Sequence, residues 1–143
     1  MSIQTGKSSI GIDPGVKTGF AVYSIDLGQL LEVETVDFWT AVDKVMFYPP
    51  SYLTRVVIEV PDTKHVWQGG AKNAKTLQRQ AVNVGGVIRE AQLLAEGLER
   101  EGYPVVRVPP RGKVDPTKFA RYTGWKDRCS QHARDAAMLC YGR

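Results

Sequence analysis

Ser9-Ile10-Gly11-Ile12-Asp13-Pro14-Gly15-Val16-Lys17-Thr18-Gly19-Phe20-Ala21-Val22-Tyr23 is the stretch on which the reading of the whole chain turns. Two runs rich in β-formers, around Ile10 and Ile12 and from Phe20 to Tyr23, flank a Gly/Pro segment. That spacing predicts two strands joined by a tight turn over Asp13 to Gly19. Working outward, Leu30 to Phe38 alternates, with Leu31, Val33 and Thr35 set against Glu32, Glu34 and Val36, and predicts a third strand. Thr40 to Phe47 predicts a short helix stopped by Pro49-Pro50. Arg55-Val56-Val57-Ile58-Glu59-Val60 is an apolar run with a carboxylate near its end. It predicts a strand buried on both faces and ended by Pro61.

Residues 63–74 predict a mobile loop. From Lys75 to Glu101 the stripe Leu77, Ala81, Val84, Ile88, Ala91, Ala95 and Leu98 predicts a long helix, with Gly102 as its stop. Gly85-Gly86 inside it costs about 1 kcal/mol per glycine relative to alanine. Such a pair is expected where another element comes close, either the sheet or a second copy of this helix. Val105 to Val108 predicts a fifth strand. Asp115-Pro116 is an N-cap followed by proline at the first helical position, opening a helix that ends by Gly124. A last helix starts near Asp127 or Ser130 and runs to Cys140. The order βββαβαβαα predicts an α/β fold, a five-stranded mixed sheet with helices on both faces.

The chain has 143 residues, which suits one domain over 1–143, with residues 1–8 expected to be a disordered N-terminus. No apolar run approaches the roughly 18 residues that span a bilayer, so no membrane partner is expected. Met1 to Ser9 holds no apolar core of a secretory signal. With two cysteines, Cys129 and Cys140, the expectation is a reduced, cytoplasmic protein. Cys129, His132 and Cys140 lack a fourth ligand and the paired spacing of a zinc site. The net charge of +4 is unevenly spread: residues 1–62 carry four Lys/Arg against eight Asp/Glu, and residues 107–143 carry nine against three. A basic last quarter suggests a polyanion partner.

Three acidic residues stand where apolar packing is expected: Asp13 at a strand end, Glu59 at another, and Asp135 among Ala133, Ala136, Ala137 and Leu139. His132 precedes Asp135 by three, on the same helical face. Burying lone carboxylates is expensive, and a divalent metal compensates them together. Oxygen ligands favour Mg²⁺ or Mn²⁺, and two ions about 3.5–4 Å apart can activate a water and stabilise a leaving oxygen. Two nucleotide readings fail on the residues. Gly11-x-x-x-x-Val16-Lys17-Thr18 has valine where a phosphate loop needs its second glycine, so no nucleotide cofactor is expected. An actin-like ATPase needs two such domains.

Ile10-Gly11-Ile12-Asp13-Pro14-Gly15-Val16-Lys17-Thr18-Gly19-Phe20-Ala21 resembles the first motif of RuvC-type Holliday junction resolvases, members of the RNase H-like superfamily. Val57-Ile58-Glu59 resembles the second, and His132-Ala133-Arg134-Asp135-Ala136 the third. The likeness spans about residues 9–140. It implies an RNase H-like fold and a homodimeric, Mg²⁺- or Mn²⁺-dependent endonuclease that cuts four-way DNA junctions in paired, symmetrical positions. Asp13, Glu59 and Asp135 match the family's metal-binding carboxylates, and His132 its variable fourth position, as metal ligand or as base for the attacking water. Lys113 and Lys118, with Arg111 nearby, match lysines that contact the DNA backbone, and Lys72 and Lys75 around Asn73-Ala74 are further candidates. Relatives carry a junction-inserting aromatic shortly after the glutamate; here Pro61 and Asp62 stand there, and Trp67 or His65 is the nearest stacking candidate. The short chain fits a compact phage-type or mobile-element member, acting at the nucleoid or in a bacterial host. The alternatives are a nuclease of this fold acting on RNA or on flap or three-way structures, and a non-catalytic nucleic-acid-binding relative.

Overall fold

Ile10 and Ile12 point to one side of the first strand, and Ser9, Gly11 and Asp13 to the other. This alternation separates the two layers that cover the sheet. The computed structural model describes residues 7–61 and 74–143, with side chains in the long helix described from Gly85 onward. The strands are β1 (Ser8–Asp13), β2 (Thr18–Ser24), β3 (Gln29–Val36), β4 (Leu53–Glu59) and β5 (Val105–Val108). The helices are α1 (Phe38–Met46), α2 (Ala74–Arg100), α3 (Pro116–Thr123) and α4 (Gln131–Cys140), with a short 3₁₀ turn at Pro50–Tyr52. The sheet runs in the order β3-β2-β1-β4-β5. Strands β1, β2 and β3 form an antiparallel meander, while β4 and β5 lie parallel to β1. This is the expected five-stranded mixed sheet.

Helices lie on both faces. On one side Ile10, Ile12, Phe20, Val22, Val56 and Ile58 pack against Ala41 and Val45 of α1 and Leu94, Ala95 and Leu98 of α2. On the other, Ala21, Tyr23, Leu30 and Val33 pack against Ala133, Ala136, Ala137 and Cys140 of α4 and Phe119 of α3. Full burial of one such large apolar side chain stabilises the fold by about 1.5–3 kcal/mol. The predicted stripe of α2 holds where its side chains are described, at Ile88, Ala91, Ala95 and Leu98. Leu94 widens it.

Several local expectations are corrected or narrowed. The third strand stops at Val36 because Asp37 caps α1: its carboxylate accepts from the Thr40 amide (2.8 Å) and hydroxyl (2.9 Å), so the helix starts at Phe38 and not Thr40. Its alternation is also interrupted. A bulge places Leu31 between the pairs Tyr23–Leu30 and Val22–Glu32, so Leu30 and Val33 share the α4 side while Leu31 packs towards α1. Gly85 and Gly86 meet no sheet: among the described residues nothing lies within 4 Å of a Cβ built on either. Finally, Lys7 and Ser8, expected within a disordered start, are placed. Ser8 opens β1, and the Lys7 amide donates to Asp26 at 2.7 Å. Residues 1–6 lie outside the described residues, as does the expected loop apart from Ala74.

Gly11 and Gly19 admit α4. A Cβ on Gly11 would drive into the Ala136 carbonyl oxygen, and one on Gly19 into that of His132. Gly19 is therefore a packing residue of β2 rather than a turn residue. Ser130 caps α4 through the Ala133 amide (3.1 Å), and its hydroxyl bonds that of Thr35, so the helix start is held over β3.

Candidate active site

Parallel strands β1 and β4 end side by side, so their terminal carboxylates, Asp13 and Glu59, face one another. Asp13 is buried and Glu59 half-buried, and the two carboxyl groups share a hydrogen bond. The start of α4 crosses Gly19, next to Asp13 in the ladder, and brings His132 and Asp135 to the same place. The His132 ring lies with Nδ1 3.0 Å from Asp13 Oδ2. Potential ligand atoms of Asp13, His132 and Asp135 all lie within 4.8 Å of one another. Glu59 stands beside this trio, joined to it through Asp13 and not a member of the tight group. One turn back on α4, Gln131 Nε2 donates to Asp135 Oδ1 at 2.8 Å.

Three carboxyl groups this close repel one another when ionised. Burial pushes the Asp13 carboxyl up, and the charge of Asp135 adds to this; the hydrogen bond with Glu59 and the charge of Lys113 oppose it. Glu59 is pushed up to about 8, chiefly by burial, then by its hydrogen bond with Asp13 and by the charges of Asp13 and Asp135, against a backbone hydrogen bond from Arg111. The pair therefore holds a proton at neutral pH when no cation neutralises it.

A carboxyl raised from 4.5 to about 8 on folding binds its proton more tightly in the folded chain across that interval. Stability from this group is complete below the lower value and is lost as pH rises through the window. In melts of metal-free protein from pH 5 to 9, the Tm of Glu59→Gln minus that of wild type is expected to grow up to about pH 8 and then level off. A difference that does not change with pH would contradict the raised carboxyl.

The basic candidates are brought in unequally. Lys113 is exposed and close enough for its charge to act on Asp13, and the Arg111 backbone lies near Glu59 while its side chain stays exposed. Lys118 is exposed on α3, whose start is capped by Asp115 accepting from the Lys118 amide at 2.8 Å. Trp67 and Lys72 lie outside the described residues, as does His65, and Lys75 is placed only as backbone in α2. The sequence reading did not single out Gln131, although its i,i+4 spacing to Asp135 is a visible signal. Cys140 lies at the far end of α4, eight residues or about 12 Å along the axis from His132. Burial pushes its thiol up to about 12, so it joins no ligand set with His132.

Compared with models of known protein families the chain matches none, and no curated protein matches it. Among the described residues, no helix is long and apolar enough to cross a membrane.

Proposed function

We propose that this chain is a divalent-metal-dependent endonuclease that resolves branched DNA, acting as a homodimer on four-way junctions as its resemblance to RuvC-type resolvases of the RNase H-like superfamily implies. The single observation that carries the reading is the convergence of Asp13, His132 and Asp135, with Glu59 alongside, from two strand ends and one helix start. The donor set fits a hard divalent cation: three carboxyl groups and an imidazole, two of the carboxyls forced to share a proton without it. Asp13 and Asp135 would hold Mg²⁺ or Mn²⁺, with Glu59 next to them and His132 at the edge of the set. When bound, the ion supplies positive charge for the phosphodiester oxygens and acidifies a water.

The chain's own residues do the rest. In the tautomer whose Nδ1–H donates to Asp13, His132 keeps the Nε2 lone pair free in a half-exposed side chain, where it can take a proton from water. Lys113, whose charge acts on Asp13, offers charge to a flanking phosphate, with the exposed Arg111 two residues before it, which makes binding salt-dependent. Two such sites related by a two-fold axis match the two-fold symmetry of a junction.

The test is a cleavage panel of four-way, three-way, flap, duplex and RNA–DNA substrates with Mg²⁺ and with Mn²⁺. Paired symmetrical nicks in the four-way junction are expected. Cutting confined to RNA-containing or flap substrates would favour the other nuclease readings, and binding without cutting in either metal would remove the enzyme.

The homodimer makes a separate prediction at Gly85 and Gly86, which are exposed on α2 with nothing among the described residues within 4 Å of an added Cβ. If a second α2 approaches there, replacing both by Ala weakens the dimer, although each change favours the isolated helix by about 1 kcal/mol. Gel filtration is expected to move from dimer to monomer. A dimer unaffected by the double change would place the contact elsewhere.

A further inference from the structure

Among the described residues Arg134 is the one buried Lys or Arg, at 8 % exposure. Its guanidinium donates to the carbonyl oxygens of Val114 (3.2 Å) and Cys129 (2.7 Å) and to Gln131 Oε1 (2.9 Å). None of these partners is a carboxylate, and Asp135, its neighbour in sequence, is not among them. The link to Asp135 runs through Gln131, whose Nε2 donates to Asp135 Oδ1 at 2.8 Å.

This chain of bonds has one possible sense. Arg134 can only donate, so it takes the oxygen of the Gln131 amide; an ionised Asp135 can only accept, so it takes the nitrogen. The amide is thus locked between a fixed cation and a carboxylate. It occupies Oδ1 of Asp135 and leaves Oδ2 free. Arg134 is itself anchored by the loop before α3 and the residue before the Ser130 cap, so the Asp135 rotamer is referenced to the protein frame and not to solvent. Gln131 is half-buried at the first position of α4, where it contributes little to the core.

We propose that Gln131 is a positioning residue for Asp135, held in orientation by the buried Arg134, and that it presents the free Asp135 oxygen to the divalent cation. This rests on the metal reading of the site. Groups that hydrogen-bond to metal ligands typically set metal affinity by about 10–100-fold.

Mn²⁺ titration followed by the electron paramagnetic resonance signal of the free ion reads this without any catalytic assay. Gln131→Met keeps the side-chain length and removes both bonds; Gln131→Ala removes the side chain. Each is expected to weaken Mn²⁺ binding by about tenfold or more, while the metal-free protein stays folded with a Tm lowered by the acceptor that buried Arg134 loses. In an Asp135→Asn background the same Gln131→Met change is expected to cost less than about twofold, because its effect passes through Asp135. Binding within about twofold of wild type in both single variants overturns the positioning role, as does an undiminished loss in the Asp135→Asn background. A wild type that binds no Mn²⁺ overturns the metal reading itself, and this inference with it.

Discussion

Asp13→Asn is expected to lower metal-dependent junction cleavage by about 10³-fold or more, since the group lost anchors a charge worth several kcal/mol in the transition state. Asp13 is the most connected member of the site. It is buried at the end of β1, bonded to His132 Nδ1, hydrogen-bonded to Glu59, and within 4.8 Å of the Asp135 ligand atom. Asparagine keeps the shape and one oxygen, so the protein stays folded. Removing a charge from a crowded acidic cluster also relieves repulsion, so the metal-free variant is expected to melt no lower than wild type at pH 8 and to gain less from added Mg²⁺. Junction binding, carried by Lys113 and its basic neighbours, is expected to survive. Gel-shift, cleavage and melting measurements on one preparation separate these effects. A variant that still cuts at more than about a tenth of the wild-type rate would remove Asp13 from the chemistry.

Gly19→Ala has the largest expected effect on stability. Its new Cβ would collide with the main-chain carbonyl of His132, and backbone cannot rotate out of the way as the end of a long side chain can. Helix α4 would have to lift from the sheet, losing the burial of Ala133, Ala136 and Ala137 against Ala21 and Tyr23. The expected cost is about 4 kcal/mol or more, in the exceptional range for one substitution. Gly11→Ala, facing the Ala136 carbonyl, belongs to the same class. The control is Gly97→Ala on the exposed side of α2, where among the described residues nothing lies within 4 Å and helix propensity gains about 1 kcal/mol. Urea melts of the three variants measure this directly. A Gly19→Ala protein as stable as wild type would mean that α4 does not rest on that strand. Because α4 carries His132 and Asp135, a partly folded Gly19→Ala protein is also expected to have lost its Mn²⁺ affinity.

The strands and helices were legible where one signal ruled. The apolar run from Arg55 to Val60 could hardly be anything but a covered strand, and Leu53–Glu59 is its observed position. Asp115-Pro116 marks the start of α3, and of the two starts open for α4, Asp127 and Ser130, it is Ser130 that caps the helix. Misreadings arose where two signals competed. Leu31 broke the alternation of β3 because a bulge absorbs one residue without a mark in composition. Asp37 belonged to the helix and not to the strand, since a carboxylate that can accept two bonds from Thr40 satisfies donors that the first helical turn leaves free. Gly19 was read as a turn residue because glycine signals chain reversal and close approach equally well.

For the candidate site, the three carboxylates and His132 were readable as misplaced polar residues in apolar settings. Local composition alone marks the side chains that need a shared compensation where they sit: Asp13 and Glu59 at strand ends, Asp135 among alanines. It could not say that Glu59 leans on Asp13 while Asp13, His132 and Asp135 form the tight trio, because that depends on the register of β1 against β4 and on the height at which α4 crosses Gly19. Nor could it reveal that Arg134 reaches Asp135 only through Gln131. Local pattern follows from each residue's own chemistry and its near neighbours in the chain. Distances between groups more than a hundred residues apart follow from how layers pack, and here two glycines without side chains set that distance.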